Sequence, residues 1–480
     1  MPALLLLLTL ASDDTATFLA SAQEAVVRKG VELAVQQNSV KSVGLLLDVL
    51  NLEGARGLAA AHYRDMAWDG LSRIKDFYAR QRVEKELQES RRPFVRQWCA
   101  ELLGVYGAGE FGPTLLKALG DSDLGVRRAA ARSLGALRHA PASAALGPLA
   151  GEPDPVLRAN AIEALARIDA EANAAPFLAA LRVDEDGGVR CALLAAAPAL
   201  YPQLHEDLAR ASLADTDWRP RAQAVENLGA TKTKSAVDTL IEALADTRPA
   251  VAGRAAAALR ALTGKEILDA KSWASWWRAA REKFEFAEGA APAAPPESKE
   301  RKSVSYHGIA VSSDHVAFLF DKSFRMSEKL KEGKETKERA AREELERVLT
   351  KLRGDLRFHL FAYAQEVTPF RKRASDLDAK EQKQALKFLD KIALKGSKDI
   401  WLALETVLDD PEIDTAFLLS SGEPDIGLYV HWNRVTDHLR DRNRFRKLVV
   451  HTVVYSDSKW FRDQLQKISE ATGGEHRAFE

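Results

Sequence analysis

The chain has 480 residues, of which 46% are hydrophobic and 29% charged, the balance of an ordinary folded soluble protein. Lys plus Arg and Asp plus Glu both number 69, so the formal net charge is zero and nothing global draws the chain to nucleic acid or an anionic membrane. Two cysteines far apart, Cys99 and Cys191, with no CxxC and no neighbouring His pair, exclude a disulfide framework and a zinc site of usual spacing. They are expected as buried thiols in helical core positions.

Residues 3–11 read ALLLLLTLA, too short to span a bilayer. They resemble the apolar core of a signal peptide, with Thr9 and Ala11 in a cleavage-like position, although no Lys or Arg precedes them. Residues 1–12 are therefore expected to be a signal peptide of an exported, periplasmic bacterial protein. The alternative is the first helical turn of a cytoplasmic one. No other segment is long and apolar enough to be transmembrane.

Residues 14–90 read as helical with a blurred period, as at the capping end of an array. A clear repeat follows. The dipeptides Val95-Arg96, Val126-Arg127, Leu157-Arg158, Val189-Arg190 and Pro220-Arg221 place successive arginines 31, 31, 32 and 31 residues apart. Val251-Ala252 keeps the spacing without the Arg. Four residues before the middle arginines stand Asp123, Asp154, Asp186 and Asp217, where a helix start needs a side-chain acceptor for its orphan N–H groups. Each unit reads as two amphipathic helices joined by a turn. One such hairpin cannot bury its apolar face alone, so the units must stack into an α-solenoid, here residues 13–285.

The D-x-x-x-R spacing over residues 92–264 resembles HEAT-like repeats of the bilin-lyase (PBS-lyase) type. The resemblance implies structural ladders at Asp123/Arg127, Asp154/Arg158, Asp186/Arg190 and Asp217/Arg221. It implies no chemistry, because no His, Cys or paired-carboxylate cluster recurs at a catalytic spacing. Trp273, Trp276 and Trp277 share one helix face. They read as a cap sealing the last repeat, with an exposed aromatic hot spot as the sharper alternative.

Residues 286–303 are rich in Pro, Ala and charge and read as a semi-extended linker that lets the two halves move. From residue 304 strands and helices alternate: strands in HVAFLFD, RFHLFAYA, DTAFLLS and KLVVHTVVY, and helices near 334–353, through KEQKQALKFLDKI, in IWLALETVL and through FRDQLQKISEATGG. This pattern implies an α/β domain, 304–480, with a doubly wound sheet whose site lies at the carboxyl ends of the strands.

Asp321 sits at such an end. The segment FLFDKSFRMS resembles the first metal motif, Asp-x-Ser-x-Ser, of von Willebrand factor A domains, and GSKDI, SSGEP and ATGG fall where that family has later landmarks. The resemblance covers about 314–480 and implies Mg²⁺ or Mn²⁺ held by carboxylate and hydroxyl oxygens. Asp321 and Ser323 agree with the motif. The second serine is Arg325, the later Thr ligand is Lys398 in Gly396-Ser397-Lys398-Asp399, and Thr-Asp-Gly has become Ser420-Ser421-Gly422. The remnant Asp321, Ser323 and Ser420 are thus expected to bind no metal and to need no cofactor, with Arg325 or Lys398 in the vacated cation position. The rival is a weak Mg²⁺ or Mn²⁺ site assisted by Asp399 or Glu423. Arg325, Lys398, Asp399, Ser421 and Glu423 are the candidate binding residues of this end of the sheet.

Three functions compete. The first is a non-enzymatic scaffold for protein partners, bound by the repeat surface or by the top loops of the A-like domain, with a metal-dependent adhesion-type module as a variant. The second is an RNA-binding protein of Ro-like architecture. The balanced charge opposes it, FRKR (370–373) and RDRNRFRK (440–447) being the basic runs of note. The third is an enzyme, for which the sequence offers no Walker, G-x-S-x-G or H-E-x-x-H motif.

Overall fold

A computed structural model of the chain describes residues 14–52, 59–286, 304–331, 335–354 and 356–479. The expected signal peptide at 1–12 and linker residues 287–303 lie outside them. The chain divides into two compact units: Met1–Val189 with Leu428–Arg434, and Arg190–Gly427 with Val435–Glu480.

In the first unit, helices follow one another with short turns, from Glu24–Gln37 and Val40–Leu50 to Pro155–Ile168 and Ala174–Val183. Their inner faces are Ala-rich and the backbones approach closely. A Cβ on Gly104 would lie 2.7 Å from Ser133 Cβ, and one on Gly135 would lie 2.7 Å from Ala164 Cα. Cys99 and Cys191 are both buried, as expected, and burial pushes the Cys191 thiol up to about 12.

The polar ladder differs from the expected one. Four of the five motif arginines reach forward to the turn of the next repeat. Arg96 pairs with Asp121 at 2.8 Å, Arg158 with Asp184 at 2.8 Å, Arg190 with Asp215 at 2.6 Å and Arg221 with Asp246 at 2.7 Å. These pairs use two guanidinium nitrogens on two carboxylate oxygens, the strong bidentate form. A third nitrogen of Arg158 and Arg221 donates to carbonyls of the arginine's own turn. The expected ladder acids Asp123, Asp186 and Asp217 stand at helix starts. They cap their helices, accepting from Val126 N, Val189 N and Arg219 N respectively. Asp154 does both, capping Leu157 N and pairing with Arg128 in place of Arg127. Arg127 instead donates to the Asp121 and Ser122 carbonyls.

The second unit holds the last repeats, among them Trp218–Gly229, Lys234–Ala243, Pro249–Thr263 and Ala270–Ala280, together with the α/β domain. Trp273 and Trp277 are buried, and their indole N–H groups donate to Ile267 O and Asp238 Oδ1. This is the sealing cap, with Trp276 half-buried beside Phe284. Arg248 donates to Asp414 Oδ2 at 2.7 Å and to Glu412 O, Arg254 to Lys447 O, Lys447 to Gln223 Oε1, and Arg219 to Phe445 O. The free motion expected of the linker therefore does not extend to these repeats and the sheet, which polar bonds across its amino-terminal edge tie into one unit.

The sheet runs β5-β4-β3-β7-β8-β9, with β6 also on β4. The strands are β3 His315–Asp321, β4 Arg357–Tyr363, β5 Val367–Pro369, β6 Ser375–Asp376, β7 Thr415–Ser420, β8 Val449–Tyr455 and β9 His476–Phe479. β4, β3, β7, β8 and β9 are mutually parallel, whereas β5 and β6 run antiparallel to β4. β3, β4 and β7 are buried almost throughout, which is why they read as continuous apolar runs. A hairpin of β1 Ser305–Tyr306 and β2 Ile309–Ala310 turns on His307 and Gly308, both at positive φ. It presents Tyr306 edge-on to Phe318 and Phe417. The chain passes from β3 outward to β4, then returns to the other side of β3 as β7. The carboxyl ends of β3 and β7 are therefore the crevice where such sheets hold ligands.

Arg158 and Asp184 are 8% and 7% exposed as side chains, so breaking their pair leaves a buried carboxylate uncompensated. Arg158→Ala is expected to cost about 3–5 kcal/mol. Asp123→Ala, which loses only a helix cap, is expected to cost about 1 kcal/mol. Urea denaturation of the full chain checks the order of the two.

Candidate functional site

β3 delivers Asp321 and β7 delivers Ser420 and Ser421 to the crevice. Asp321 is fully buried. Its Oδ1 accepts from Ser323 N at 2.7 Å. Its Oδ2 accepts from Ser421 N at 2.9 Å, Ser421 Oγ at 2.7 Å and Lys398 Nζ at 2.8 Å. Lys398 is also fully buried and donates to Ser421 Oγ at 3.0 Å, while Ser323 Oγ lies 3.3 Å from Ser421 Oγ. Burial alone would raise the Asp321 carboxyl, but the Lys398 charge and these hydrogen bonds outweigh it and hold it below its ordinary value.

The loop carrying Lys398 is clamped on three sides. Lys395 N donates to Lys322 O, Asp399 N to Ala364 O, and Asp425 N to Lys398 O. The lysine stem thus enters the sheet end from a fixed position. Beside it Lys322 is buried as well, pairing with Glu338 and donating to Leu389 O. Nothing in the sequence marked Lys322 out from the solvated lysines around it.

Ser421, not Ser420, completes the Asp321 shell. Ser420 turns its hydroxyl to Gly422 O at 3.0 Å. Arg325 does not pair with Asp321. It is exposed, its side chain lying against Gly422. Asp399 caps the helix Ile400–Leu408 through Leu402 N and faces Gly427, so it is not a ligand beside Asp321. Glu423 is half-buried on the loop beyond Gly422. The residues present do not fit Mg²⁺ or Mn²⁺. Among the described residues Asp321 is the carboxylate bonded to Ser323, Ser421 and Lys398, and an ammonium stands on the oxygens, Asp321 Oδ2 and Ser421 Oγ, that a hard cation would need.

Asp314, His315 and Asp414 also bring ligand atoms within 4.8 Å of one another at the opposite end of β3. Asp414 there already takes Arg248, the Ser313 hydroxyl and the Thr415 hydroxyl, so its charge is answered by protein. In the first unit, buried Asp65 Oδ2 accepts from Val430 N and His431 N, each at 2.7 Å. Arg434 lies 3.7 Å over the Trp68 ring and 5.0 Å over Trp98, and pairs with Glu101 at 3.2 Å. These residues, scattered in sequence, fasten Leu428–Arg434 to the helices of that unit. The run 440–447 is likewise engaged. Arg442 pairs with Glu405 and Asp409, and buried Arg446 donates to Leu408 O, Asp410 O and Ile413 O.

Lys398→Met leaves Asp321 buried without a cation and is expected to destabilise the protein by about 3–5 kcal/mol. Asp321→Asn combined with Lys398→Met is expected to recover more than half of that loss, read as a coupling in urea denaturation. A second expectation concerns pH. Burial lifts the Asp399 carboxyl from 3.8 to about 6. The folded state then holds this proton where the unfolded chain has lost it, so this group makes stability fall as pH rises from about 4 to about 6. Asp399→Asn keeps a capping acceptor and removes that contribution. Its melting temperature is expected to exceed the parent's at pH 7.5, with the gain gone at pH 4.

HEAT repeats match residues 81–153, 112–197 and 206–270. A comparison with curated proteins finds no match. Among solved structures, a von Willebrand factor type A protein from Catenulispora acidiphila is 15% identical with a TM-score of 0.29, over 36% of this chain and 40% of that one. The complex of CpcE and CpcF of phycocyanin lyase from Nostoc sp. PCC7120 is 23% identical with a TM-score of 0.31, over 49% and 94%. Proximal thread matrix protein 1 from the mussel byssus is 13% identical with a TM-score of 0.27, over 34% and 42%. The chain thus spans less than half the length of the first and third. The HEAT-repeat model thus matches within residues 81–270, and an α/β domain with a parallel sheet follows them.

Proposed function

We propose that the chain is a non-enzymatic scaffold that binds protein partners, and that its α/β domain does so without a divalent ion. One observation carries the second part: the Lys398 ammonium, fully buried, stands 2.8 Å from Asp321 Oδ2 and supplies from within the chain the positive charge that this carboxylate requires. The HEAT repeats support the first part, since a stacked array of helices offers an extended surface and its recurring charges are spent on holding repeats together. The RNA-binding alternative draws no support from 440–447, where Arg442, Arg446 and Lys447 are committed to acids and carbonyls of their own unit.

Thermal melts of the full chain, stripped with EDTA and then titrated with Mg²⁺ or Mn²⁺, test the ion-free reading. A ligand that binds only the folded state raises the melting temperature once its concentration exceeds its dissociation constant. No shift is expected for the parent. Lys398→Thr, which exchanges the ammonium for a hydroxyl, is expected to gain a saturable Mn²⁺-dependent rise that Asp321→Ala abolishes. A saturable rise in the parent itself, lost in Asp321→Ala, would sink the proposal.

A further inference from the structure

The side chains at the carboxyl ends of β3 and β7 divide into an inner and an outer cation. Lys398 is spent inside on Asp321. Arg325 is left outside. It stands in the short helical turn Phe324–Ser327, whose backbone is pinned by Met326 N donating to Ser323 O and by the Ser327 hydroxyl donating to Phe324 O. Its side chain lies flat on Gly422: a Cβ there would sit 2.6 Å from Arg325 Cδ and 3.1 Å from Nε. The neighbouring Phe324 ring is 59% exposed and lies 3.7 Å from where a Cβ of Gly396 would be. Two glycines thus serve as platforms for one cation and one aromatic ring, side by side in sequence and open to solvent.

The Arg325 guanidinium makes no hydrogen bond or ion pair among the described residues. Arg339, Arg342, Arg347, Arg357, Arg371 and Arg442 of the same domain are each in an ion pair. Two acids of neighbouring turns are already engaged: Glu328 pairs with Lys337, and Asp425 Oδ2 accepts from Lys398 N. An arginine held by packing, with its fork of donors unused, is suited to take a carboxylate in bidentate fashion. An aromatic ring beside it adds apolar contact at low cost in side-chain freedom.

We propose that Arg325, with Phe324, is the docking point for a carboxylate side chain on an acidic, partly apolar segment of a partner protein. This rests on the reading above that the domain binds protein without a divalent ion. The apolar flank favours a peptide over a small inorganic anion. The fork geometry sets Arg apart from Lys.

The test uses the full chain and a fluorescent peptide of alternating Glu and Leu, with a Gln/Leu counterpart, read by anisotropy in EDTA and again in Mn²⁺. The Glu peptide is expected to bind in both media and the Gln peptide about tenfold more weakly. Arg325→Ala and Arg325→Lys are expected to lose about tenfold, and Gly422→Ala, which pushes the guanidinium off its platform, to lose affinity with no change of charge. Arg339→Ala serves as the surface control and is expected to bind like the parent. Equal binding of parent and Arg325→Ala, with binding still present in EDTA, overturns the docking point and leaves the ion-free reading standing. Binding seen only with Mn²⁺ overturns that reading instead. Displacement of the Glu peptide by inorganic phosphate at far lower concentration than by acetate would mark a phosphate site and overturn the acidic-segment proposal.

Discussion

A carboxylate sealed at the end of a buried strand must find a positive charge, and in this protein it finds one on a lysine tail. The pair of Asp321 and Lys398 has no exposure at either side chain. Removing two charges from water costs several kcal/mol each, which the mutual attraction offsets only when geometry is good and remaining valences are filled. Here they are filled by Ser323 N and by Ser421 through both its backbone and its hydroxyl. Three separate segments, the turn after β3, the loop 395–399 and the turn after β7, therefore meet on one carboxylate. The placement of Arg325, Phe324 and Gly422 at the rim follows from those turns being held.

Much of this was legible in the chain before any coordinates. The strands of the parallel sheet announced themselves because burial on both faces demands unbroken apolar runs. The helical array announced itself through its 31-residue period. The site was found from Asp321 at a strand end, and the substitution of cations for ligands pointed to Lys398 or Arg325. Which of the two turns inward was not legible, because it depends on loop geometry. Lys398 is fed to the sheet end by hydrogen bonds from Lys395, Asp399 and Asp425, whereas Arg325 leaves a turn that faces out. Ser420 was the wrong serine for a related reason. Successive side chains of an extended strand point to opposite sides, so the neighbour of a well-placed residue is misplaced.

The ladder carries a similar lesson about spacing. A motif written as Asp-x-x-x-Arg invites pairing within the motif. The arginine's own turn is satisfied instead by carbonyls and a helix cap, and the guanidinium spends its fork on an acid one repeat later. The signal that locates the acids Asp121, Asp184 and Asp215 is the Asp-x-Asp pair before each helix, in which the first acid takes the distant arginine and the second caps the helix. Arg248 and Lys447, which no motif marks in the sequence, make polar bonds within the second unit. Composition reports how much charge a chain has; only the fold reports which charges are already matched.

The same arrangement says how such an array can change its length. Gly104 against Ser133 and Gly135 against Ala164 are close to backbone-on-backbone contacts, and each guanidinium bond spans one turn to the next. Both are relations between neighbours alone, and both repeat with the unit. Duplication or deletion of one whole unit restores every relation with new members. Insertion of a few residues within a unit shifts the small residue off its opposite backbone and the arginine off its acid together. The natural step of growth or shrinkage for this protein is therefore the complete repeat, and the length of the array is a quantity that varies in whole numbers.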